Sequence, residues 1–277
     1  MQRAFRQVDV FTTEPGLGNA LAVVLDGDGL SGEAMQRFAA WTNLSETTFV
    51  VPSPDPAADY AVRIFTPTAE IPFAGHPTLG TCHAWLEAGG VPRNPHTIVQ
   101  HCGSGLVEVR RTPDGLAFGE PPMLRWGPVD DVDLDRVAAA LGIERGEILD
   151  STWCDNGPGW MAVLLESAAR VLEVRIGPSL HVDLGIVGLY PSGAPAALEV
   201  RAAWPEHGSI VEDPATGSLN ASVARWLIDS GRIRAPYIAT QGGALGRAAR
   251  FAITQDADGA ILVGGQSVTL VEGSVEL

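Results

Sequence analysis

Two helices with almost no charge constrain the fold more than any other feature of this 277-residue sequence. Residues 78–88 read TLGTCHAWLEA and carry one charge, Glu87. Residues 218–229 read SLNASVARWLID, in which only Arg225 and Asp229 are charged. A helix on a protein surface shows a broad charged face, whereas a helix this neutral is usually enclosed on most sides. We therefore expect strands to surround each of these helices.

The two neutral helices also match each other at a constant offset of 141 positions, close to half the chain. The matched pairs are Ala74 and Ala215, Trp85 and Trp226, Leu86 and Leu227, and Gly90 and Gly231. In both places a strand, an acidic residue with proline and a glycine-containing turn precede the helix. Because placement repeats as well as identity, we interpret the chain as an internal duplication. The sequence predicts two α+β domains, residues 1–120 and 121–277, joined near residues 115–130.

Short strands separated by turns dominate the rest of the chain. Strands are predicted at 5–11, 20–25, 47–51, 60–65, 97–101 and 106–110, and again at 160–165, 182–190, 198–203, 249–253, 260–263 and 267–271. Two further helices are predicted at 31–42 and 134–141. Glycine (32 residues) and proline (20 residues) are abundant, as many tight turns require.

The formal net charge of −15 narrows the function classes. An acidic surface repels phosphate backbones and anionic lipids, so we expect neither a nucleic-acid nor a membrane partner. No run of about 18 apolar residues is present, and the N-terminus shows no apolar signal core. Three cysteines are widely spaced and form no CxxC pair, which suits a reducing compartment. We therefore expect a cytoplasmic location.

Several familiar chemistries fit the sequence poorly. The six histidines show no HExxH or other strong zinc spacing, so no metal site is expected. Residues 16–21, GLGNAL, are similar to a dinucleotide-binding loop but lack the third glycine and precede a strand-like run. No GxSxG nucleophile elbow is present.

The turn before each neutral helix is the candidate site. The first N–H groups of a helix have no intrahelical partner, and the helix dipole is positive there, so such a turn can bind an anion. Gly75 and His76 occupy the first turn, and Gly217 and Ser218 occupy the second. We expect the two helix starts to face each other across a pseudo-two-fold cleft that holds a small carboxylate-bearing substrate. The alternative is that the glycines only shape the turns and Ser218 only caps its helix.

Three titratable residues lie near these turns. His76 begins the first helix, where an imidazole tends to be neutral and available as a donor. Asp213 precedes the second helix, where the dipole favours an acidic residue for stability alone. Glu46 lies between a helix and an apolar strand, where a carboxylate suits acid/base chemistry, although a solvated glutamate at a strand end is the alternative.

Three sequence blocks resemble the signature blocks of the phenazine-biosynthesis isomerase (PhzF-like) family. They are SETTFV at 45–50, RIFTPTAEIPFAGHPTLGT at 63–81 and EDPATGSLNASVARWL at 212–227. GLGNALAVV at 16–24 and QGGALGR at 241–247 resemble weaker blocks of the same family. The resemblance implies the diaminopimelate-epimerase-like fold, in which two pseudo-symmetric α+β domains each form a mixed β-sheet half-barrel around a central helix.

The resemblance also implies roles for individual residues. Glu46 matches the family's proton-transferring residue, and His76 and Asp213 match residues that assist it and orient the substrate. The residues that match the pocket lining, with donors to the substrate carboxylate, are Ser45, Gly75, Gly217 and Ser218. Members of the family need no metal or organic cofactor and usually form dimers, so we expect a cofactor-independent homodimer that acts on a small-molecule carboxylate.

Two departures from the family pattern concern the substrate. LNASVARWL follows ATGS where phenazine enzymes have a smaller, Ala/Gly-richer continuation, and ALGRAAR lacks the usual Pro-Ser after its first arginine. Trp160 is a further candidate for reshaping the pocket, with a core position as its alternative. The proton-transfer residues are intact in spite of these differences.

The function expected from the sequence is an isomerase in which Glu46 removes a proton and returns it to another carbon of the substrate. One alternative is an amino-acid epimerase or racemase that uses a single base. Racemisation by two thiols is disfavoured because Cys82 lies inside a helix and has no counterpart in the second half. The other alternative is a non-catalytic small-molecule binder, which would have no need of Glu46, His76 and Asp213.

Overall fold

The computed structural model describes all 277 residues, which divide into two compact units. Unit 1 comprises residues 1–119 and 264–277, and unit 2 comprises residues 120–263. The division expected from the sequence, between residues 120 and 121, lies one residue from the boundary between Gly119 and Glu120. The C-terminal segment differs, because the sequence division assigns it to the second domain and the structure places it in unit 1.

The first part of unit 1 contains eight strands and two helices. They are β1 (Gln2–Val10), β2 (Asn19–Val24), α1 (Gly32–Thr42), β3 (Glu46–Val51), β4 (Tyr60–Phe65), β5 (Glu70–Ile71), α2 (Gly75–Glu87), β6 (Thr97–Cys102), β7 (Gly105–Thr112) and β8 (Gly115–Gly119).

The rest of the chain contains three more helices and ten more strands. They are β9 (Arg125–Gly127), α3 (Asp131–Leu141), β10 (Asp150–Asp155), β11 (Met161–Leu165), α4 (Ala168–Glu173), β12 (Leu184–Leu189), β13 (Leu198–Glu206), β14 (Ser209–Asp213), α5 (Gly217–Asp229), β15 (Tyr237–Gln241), β16 (Ala249–Gln255), β17 (Ile261–Gly265) and β18 (Ser267–Glu276). The last strand, β18, pairs antiparallel with β1 along its whole length, which explains why the C-terminus belongs to unit 1.

Each unit follows the same order of strand pairings. In unit 1 the order β1-β2-β3-β4-β6-β7 alternates antiparallel and parallel pairs, with β5 as a hairpin partner of β4. In unit 2 the order β10-β11-β12-β13-β15-β16 alternates in the same way, with β14 as the hairpin partner of β13. The helices α2 and α5 hold the same place in this order. The expected α+β class with mixed sheets is therefore confirmed, and its topology is repeated.

The helices α2 and α5 are enclosed, as their lack of charge predicts. Buried residues run without a break from 75 to 82 in α2 and from 219 to 224 in α5. Close packing in unit 1 depends on Gly80 of the helix, where a Cβ would lie 2.6 Å from Leu21 Cδ2 of β2. In unit 2 the small residue is on the strand instead, because a Cβ at Gly185 of β12 would lie 2.6 Å from Leu219 Cδ1.

The helices α1 and α3 have the caps and the single buried face of surface helices. The Ser31 hydroxyl accepts from the Ala34 N–H in α1, and the Asp130 carboxylate accepts from the Asp133 N–H in α3. The Asp130 cap explains why α3 begins three residues before its predicted start. No helix of the structure is both long and apolar enough to cross a membrane.

Candidate active site

Glu46 and His76 lie side by side in unit 1. Glu46 is the first residue of β3, where it pairs with Leu21 of β2, and His76 is the second residue of α2. His76 Nε2 lies 3.4 Å from Glu46 Oε2. Only 16% of the Glu46 side chain and 6% of the His76 side chain are exposed. The carboxylate therefore faces a buried imidazole, which differs from the alternative of a solvated strand end.

Burial controls the protonation of His76. The loss of hydration lowers the pKa of His76 from 6.5 to about 3, because the charged imidazolium is disfavoured in the interior. The positive end of the α2 dipole acts in the same direction. The imidazole is therefore neutral at pH 7. It can exchange a hydrogen bond with Glu46 without placing a second charge at the site.

The start of α2 is shaped by Gly75. A Cβ at this position would lie 2.5 Å from Phe118 Cζ, so only glycine allows the phenylalanine ring to pack against the helix start. The N-cap residue Ala74 supplies no side-chain hydrogen bond, and Pro77 has no N–H group. The backbone donors at this helix start are therefore the N–H groups of Gly75 and His76. Ser45 is exposed directly before Glu46.

Asp213 ends β14 in unit 2 and is only 8% exposed. Its Oδ2 accepts a 2.6 Å hydrogen bond from the Thr216 hydroxyl. Thr216 is the N-cap residue of α5, but its hydroxyl makes no capping bond to the helix. The expected residues Gly217 and Ser218 follow as the first two residues of α5. The structure thus gathers these residues within unit 2, as it gathers Glu46, His76 and their neighbours within unit 1.

Gln241 braces this turn, and the sequence interpretation did not identify it. Its amide nitrogen donates to the Asp213 carbonyl at 2.9 Å and to the Thr216 hydroxyl at 2.8 Å. Its amide oxygen accepts from the Thr216 N–H at 3.1 Å and from the Asn220 amide at 2.9 Å. Gln241 is 1% exposed, so these bonds are shielded from water and hold the turn in one conformation.

Gln100 has the equivalent place in unit 1. Gln100 lies on β6, and Gln241 lies on β15, which follows α5 as β6 follows α2. Gln100 donates to the Thr78 hydroxyl in the first turn of α2 and accepts from the Tyr60 hydroxyl, both at 3.0 Å. The two glutamines are 141 positions apart, the same offset that relates the two helices. That shared offset is the sequence signal by which both could have been found.

The loop before β11 reaches Ser218. Trp160 donates its indole N–H to the Ser218 hydroxyl oxygen at 3.0 Å, and Asn156 donates its amide to the Ser218 carbonyl at 2.9 Å. Trp160 is 2% exposed. It is therefore a core residue and a contact of the predicted site at once, whereas the sequence interpretation treated these as alternatives.

The cysteines do not form a proton-transfer pair. Cys82, Cys102 and Cys154 are all buried. Burial raises the pKa of both Cys82 and Cys154 to about 12, so these thiols stay protonated at neutral pH. Racemisation by two thiols, which the sequence disfavours, has no support in the structure.

The comparison with protein families supplies a match over nearly the whole chain. A family model described as phenazine biosynthesis-like protein (PhzC-PhzF) matches residues 8–273. The chain is 33% identical to trans-2,3-dihydro-3-hydroxyanthranilate isomerase of Pseudomonas aeruginosa, over 98% of each protein. It is 31% identical to a protein of Schizosaccharomyces pombe named antisense-enhancing sequence 1, again over 98% of each protein.

Comparison with solved structures leads to the same group of proteins. The crystal structure of a PhzF-family phenazine biosynthesis protein from Bacillus anthracis superposes with a TM-score of 0.86. The superposition covers 100% of both chains at 21% sequence identity, which compares the fold alone. The fold is thus the diaminopimelate-epimerase-like fold that the sequence blocks imply. With the family model spanning both helix-start clusters, this chain belongs to the PhzC-PhzF family of phenazine-biosynthesis-like proteins.

Proposed function

We propose that this protein is an isomerase that shifts a proton on a small carboxylate-bearing substrate, with Glu46 as the single base. The observation that carries the proposal is the 3.4 Å contact between Glu46 and a buried His76 at the start of α2. The 33% identity to an enzyme named trans-2,3-dihydro-3-hydroxyanthranilate isomerase supports the reaction class.

The proposed reaction balances through one carboxylate. Ionised Glu46 removes a proton from an sp³ carbon, and the electron pair enters the unsaturated system conjugated with the substrate carboxylate. Protonated Glu46 then returns the proton to another carbon, which regenerates the base without any net oxidation or reduction. No metal or organic cofactor is required for these steps.

His76 and the start of α2 are proposed to stabilise this sequence. The neutral imidazole donates to or accepts from Glu46 as its carboxyl gains and loses the proton. The N–H groups of Gly75 and His76, with the positive helix end, offset negative charge that develops during the reaction. Ser45, which precedes Glu46, is proposed as a hydroxyl donor to the substrate.

Asp213, Gly217 and Ser218 are proposed to bind and orient a small carboxylate-bearing substrate at the start of α5. The bond from Thr216 and the brace from Gln241 hold Asp213 in one position, as an orienting residue requires. The first N–H groups of α5, with the Ser218 hydroxyl, are proposed as the donors to a carboxylate.

Deuterium incorporation tests the proposal. The protein is incubated in D₂O with trans-2,3-dihydro-3-hydroxyanthranilate and with a panel of small amino and hydroxy acids, and the position of deuterium is read by NMR. Glu46→Gln should lower the rate about 10²–10⁴-fold, because it removes the base while keeping the shape. Glu33→Gln, at an exposed position of α1, is the matched control and should leave the rate unchanged.

The outcomes separate the alternatives. An unchanged rate in Glu46→Gln would show that Glu46 is not the base. Deuterium at the original carbon with inverted configuration would identify a one-base epimerase, and deuterium at a different carbon identifies the isomerase. Binding of a substrate without any exchange in the wild type would identify a non-catalytic binder.

A further inference from the structure

The loop between β10 and β11, residues 156–160, is folded against the start of α5 by its own hydrogen bonds. Asp155 Oδ1 accepts from the N–H groups of Gly157 at 2.7 Å and Gly159 at 2.8 Å. Both glycines have positive φ, 143° and 100°, which other residues rarely adopt. This tight loop brings both Asn156 and Trp160 to one residue of the helix.

That residue is Ser218, which the loop holds at two points. The Trp160 indole N–H donates to the Ser218 hydroxyl oxygen at 3.0 Å, and the Asn156 amide donates to the Ser218 carbonyl at 2.9 Å. Trp160 is fixed in turn by its burial, because it is only 2% exposed. The ring of Trp204 is an edge-on neighbour, with centroids 6.2 Å apart. The rigid indole therefore presents its N–H to Ser218 in one direction.

The chemistry of the indole sets the polarity of the Ser218 hydroxyl. An indole N–H can only donate, so the Ser218 oxygen accepts from it and the hydroxyl proton points elsewhere. Ser218 itself is only half-buried, so the residue keeps partial access to solvent. At the second position of α5 it lies among backbone N–H groups that also donate. The accessible side of this helix start thus presents donors to a ligand.

We propose that Trp160 is a positioning residue that makes Ser218 a hydrogen-bond donor and so selects a carboxylate over a neutral amide at the start of α5. The inference rests on the proposed function only for the substrate-binding role of Ser218. Without the indole N–H, the hydroxyl rotates freely and accepts as readily as it donates. The preference for an acceptor-only group then falls.

Benzoate and benzamide are a suitable pair of probes, because they share a shape and differ in whether the polar group can donate. Dissociation constants for both are measured on wild type, Trp160→Phe and Trp204→Phe. In Trp160→Phe we expect about a 3–10-fold weaker affinity for benzoate, the effect of one hydrogen bond, and a smaller change for benzamide. Trp204→Phe makes the same chemical change on the neighbouring ring and should leave both affinities near the wild-type values.

Ser218→Ala places the effect at α5. It should weaken benzoate binding, and adding Trp160→Phe to it should cause no further loss, because the two changes remove the same donor. The indole NMR signal missing in Trp160→Phe identifies Trp160 among the seven tryptophans. In Ser218→Ala that signal should move and exchange faster with solvent, which tests the bond even if Trp160→Phe folds poorly.

The inference is overturned by any of three results. These are no benzoate binding by the wild type, equal weakening by Trp160→Phe and Trp204→Phe, or a full effect of Trp160→Phe in the Ser218→Ala protein. Benzoate binding does not require proton transfer, so it is independent of Glu46. An unchanged exchange rate in Glu46→Gln would therefore end the proposed reaction while leaving the role of Trp160 standing.

Discussion

The starts of α2 and α5 occupy equivalent places in two copies of one strand order, yet only the first carries a titratable pair. Glu46 opens β3 opposite Leu21, and the equivalent first residue of β12 is Leu184, opposite Met161. Leu184 is fully buried and has no acid/base chemistry. The repeated scaffold therefore places a carboxylate at this strand position once rather than twice. This difference favours a one-base proton shift over a mechanism with two opposed bases.

The two helix starts also differ in the number of hydrogen bonds that a buried glutamine makes to them. Gln241 makes four hydrogen bonds to the turn and first residues of α5, whereas Gln100 makes one to α2 and one to Tyr60. The start with the Glu46–His76 pair is shaped mainly by packing, with Gly75 against Phe118. The other start is shaped by a buried network of neutral polar groups. One scaffold thus carries one helix start with a titratable pair and one that is braced by hydrogen bonds.

The largest expected effect concerns this difference in bracing. Gln241→Leu leaves several buried partners without hydrogen bonds and should lower the free energy of unfolding by about 2–4 kcal/mol. Gln100→Leu leaves fewer and should cost about 1–2 kcal/mol. Urea unfolding of both variants measures the difference. A larger loss for Gln100→Leu would show that the two starts are not braced as their hydrogen bonds indicate.

A smaller effect is expected from His76, on how the free energy of unfolding depends on pH. Burial lowers the pKa of His76 from 6.5 to about 3, so between these values the unfolded chain binds a proton that the folded chain does not. This group therefore destabilises the fold as the pH falls below 6.5, by at most about 1.4 kcal/mol per pH unit. His76→Gln should remove this pH dependence. Between pH 7.5 and pH 5, its free energy of unfolding should therefore fall by up to about 2 kcal/mol less than that of the wild type.

The control for this pH measurement is His96→Gln, at an exposed position of unit 1. Its loss of stability between the two pH values, measured by urea unfolding, should match that of the wild type. If His76→Gln shows the same pH dependence as His96→Gln, His76 is not held neutral by burial.

The smallest effect is expected from Asp183, which directly precedes β12 as Ser45 precedes β3. Burial, and secondarily the charge of Asp155, raises the pKa of Asp183 from 3.8 to about 6. Its contribution to stability is therefore present below about pH 4 and is lost as the pH rises through 6. The melting temperature of Asp183→Asn should be slightly above that of the wild type at pH 7.5 and equal to it at pH 4.

Asp183→Asn also sharpens the comparison of the two units. We expect the rate of deuterium incorporation to stay within about threefold of wild type, against about 10²–10⁴-fold lost in Glu46→Gln. A large loss in Asp183→Asn would identify a second base in unit 2 and would break the one-base interpretation.

Much of the architecture could be predicted because the local order of apolar and polar residues indicates which of them are buried. The two neutral helices, the alternating strands and the glycine-containing turns all follow from spacing and residue type. The errors lie where local signals are weak. The helix α2 begins at Gly75 rather than at residue 78. The elements that were not predicted are the strands β5, β8, β9, β10, β14 and β15 and the helix α4. The residues of β10, DSTWCD, show little apolar alternation, and pairing with β9 and β11 makes them a strand.

By itself the sequence determined the class of fold, the repeated helix and the residues at each helix start, since these depend on composition and spacing along the chain. Only the tertiary structure decided which side chains meet. The contact of Glu46 with His76, the bonds of Gln241 to Asp213 and Thr216, and that of Trp160 to Ser218 join distant elements. The physical reason is that the burial of a residue follows from the order of apolar and polar residues in its own helix or strand. A partner depends on the register of strands that lie far apart in the chain.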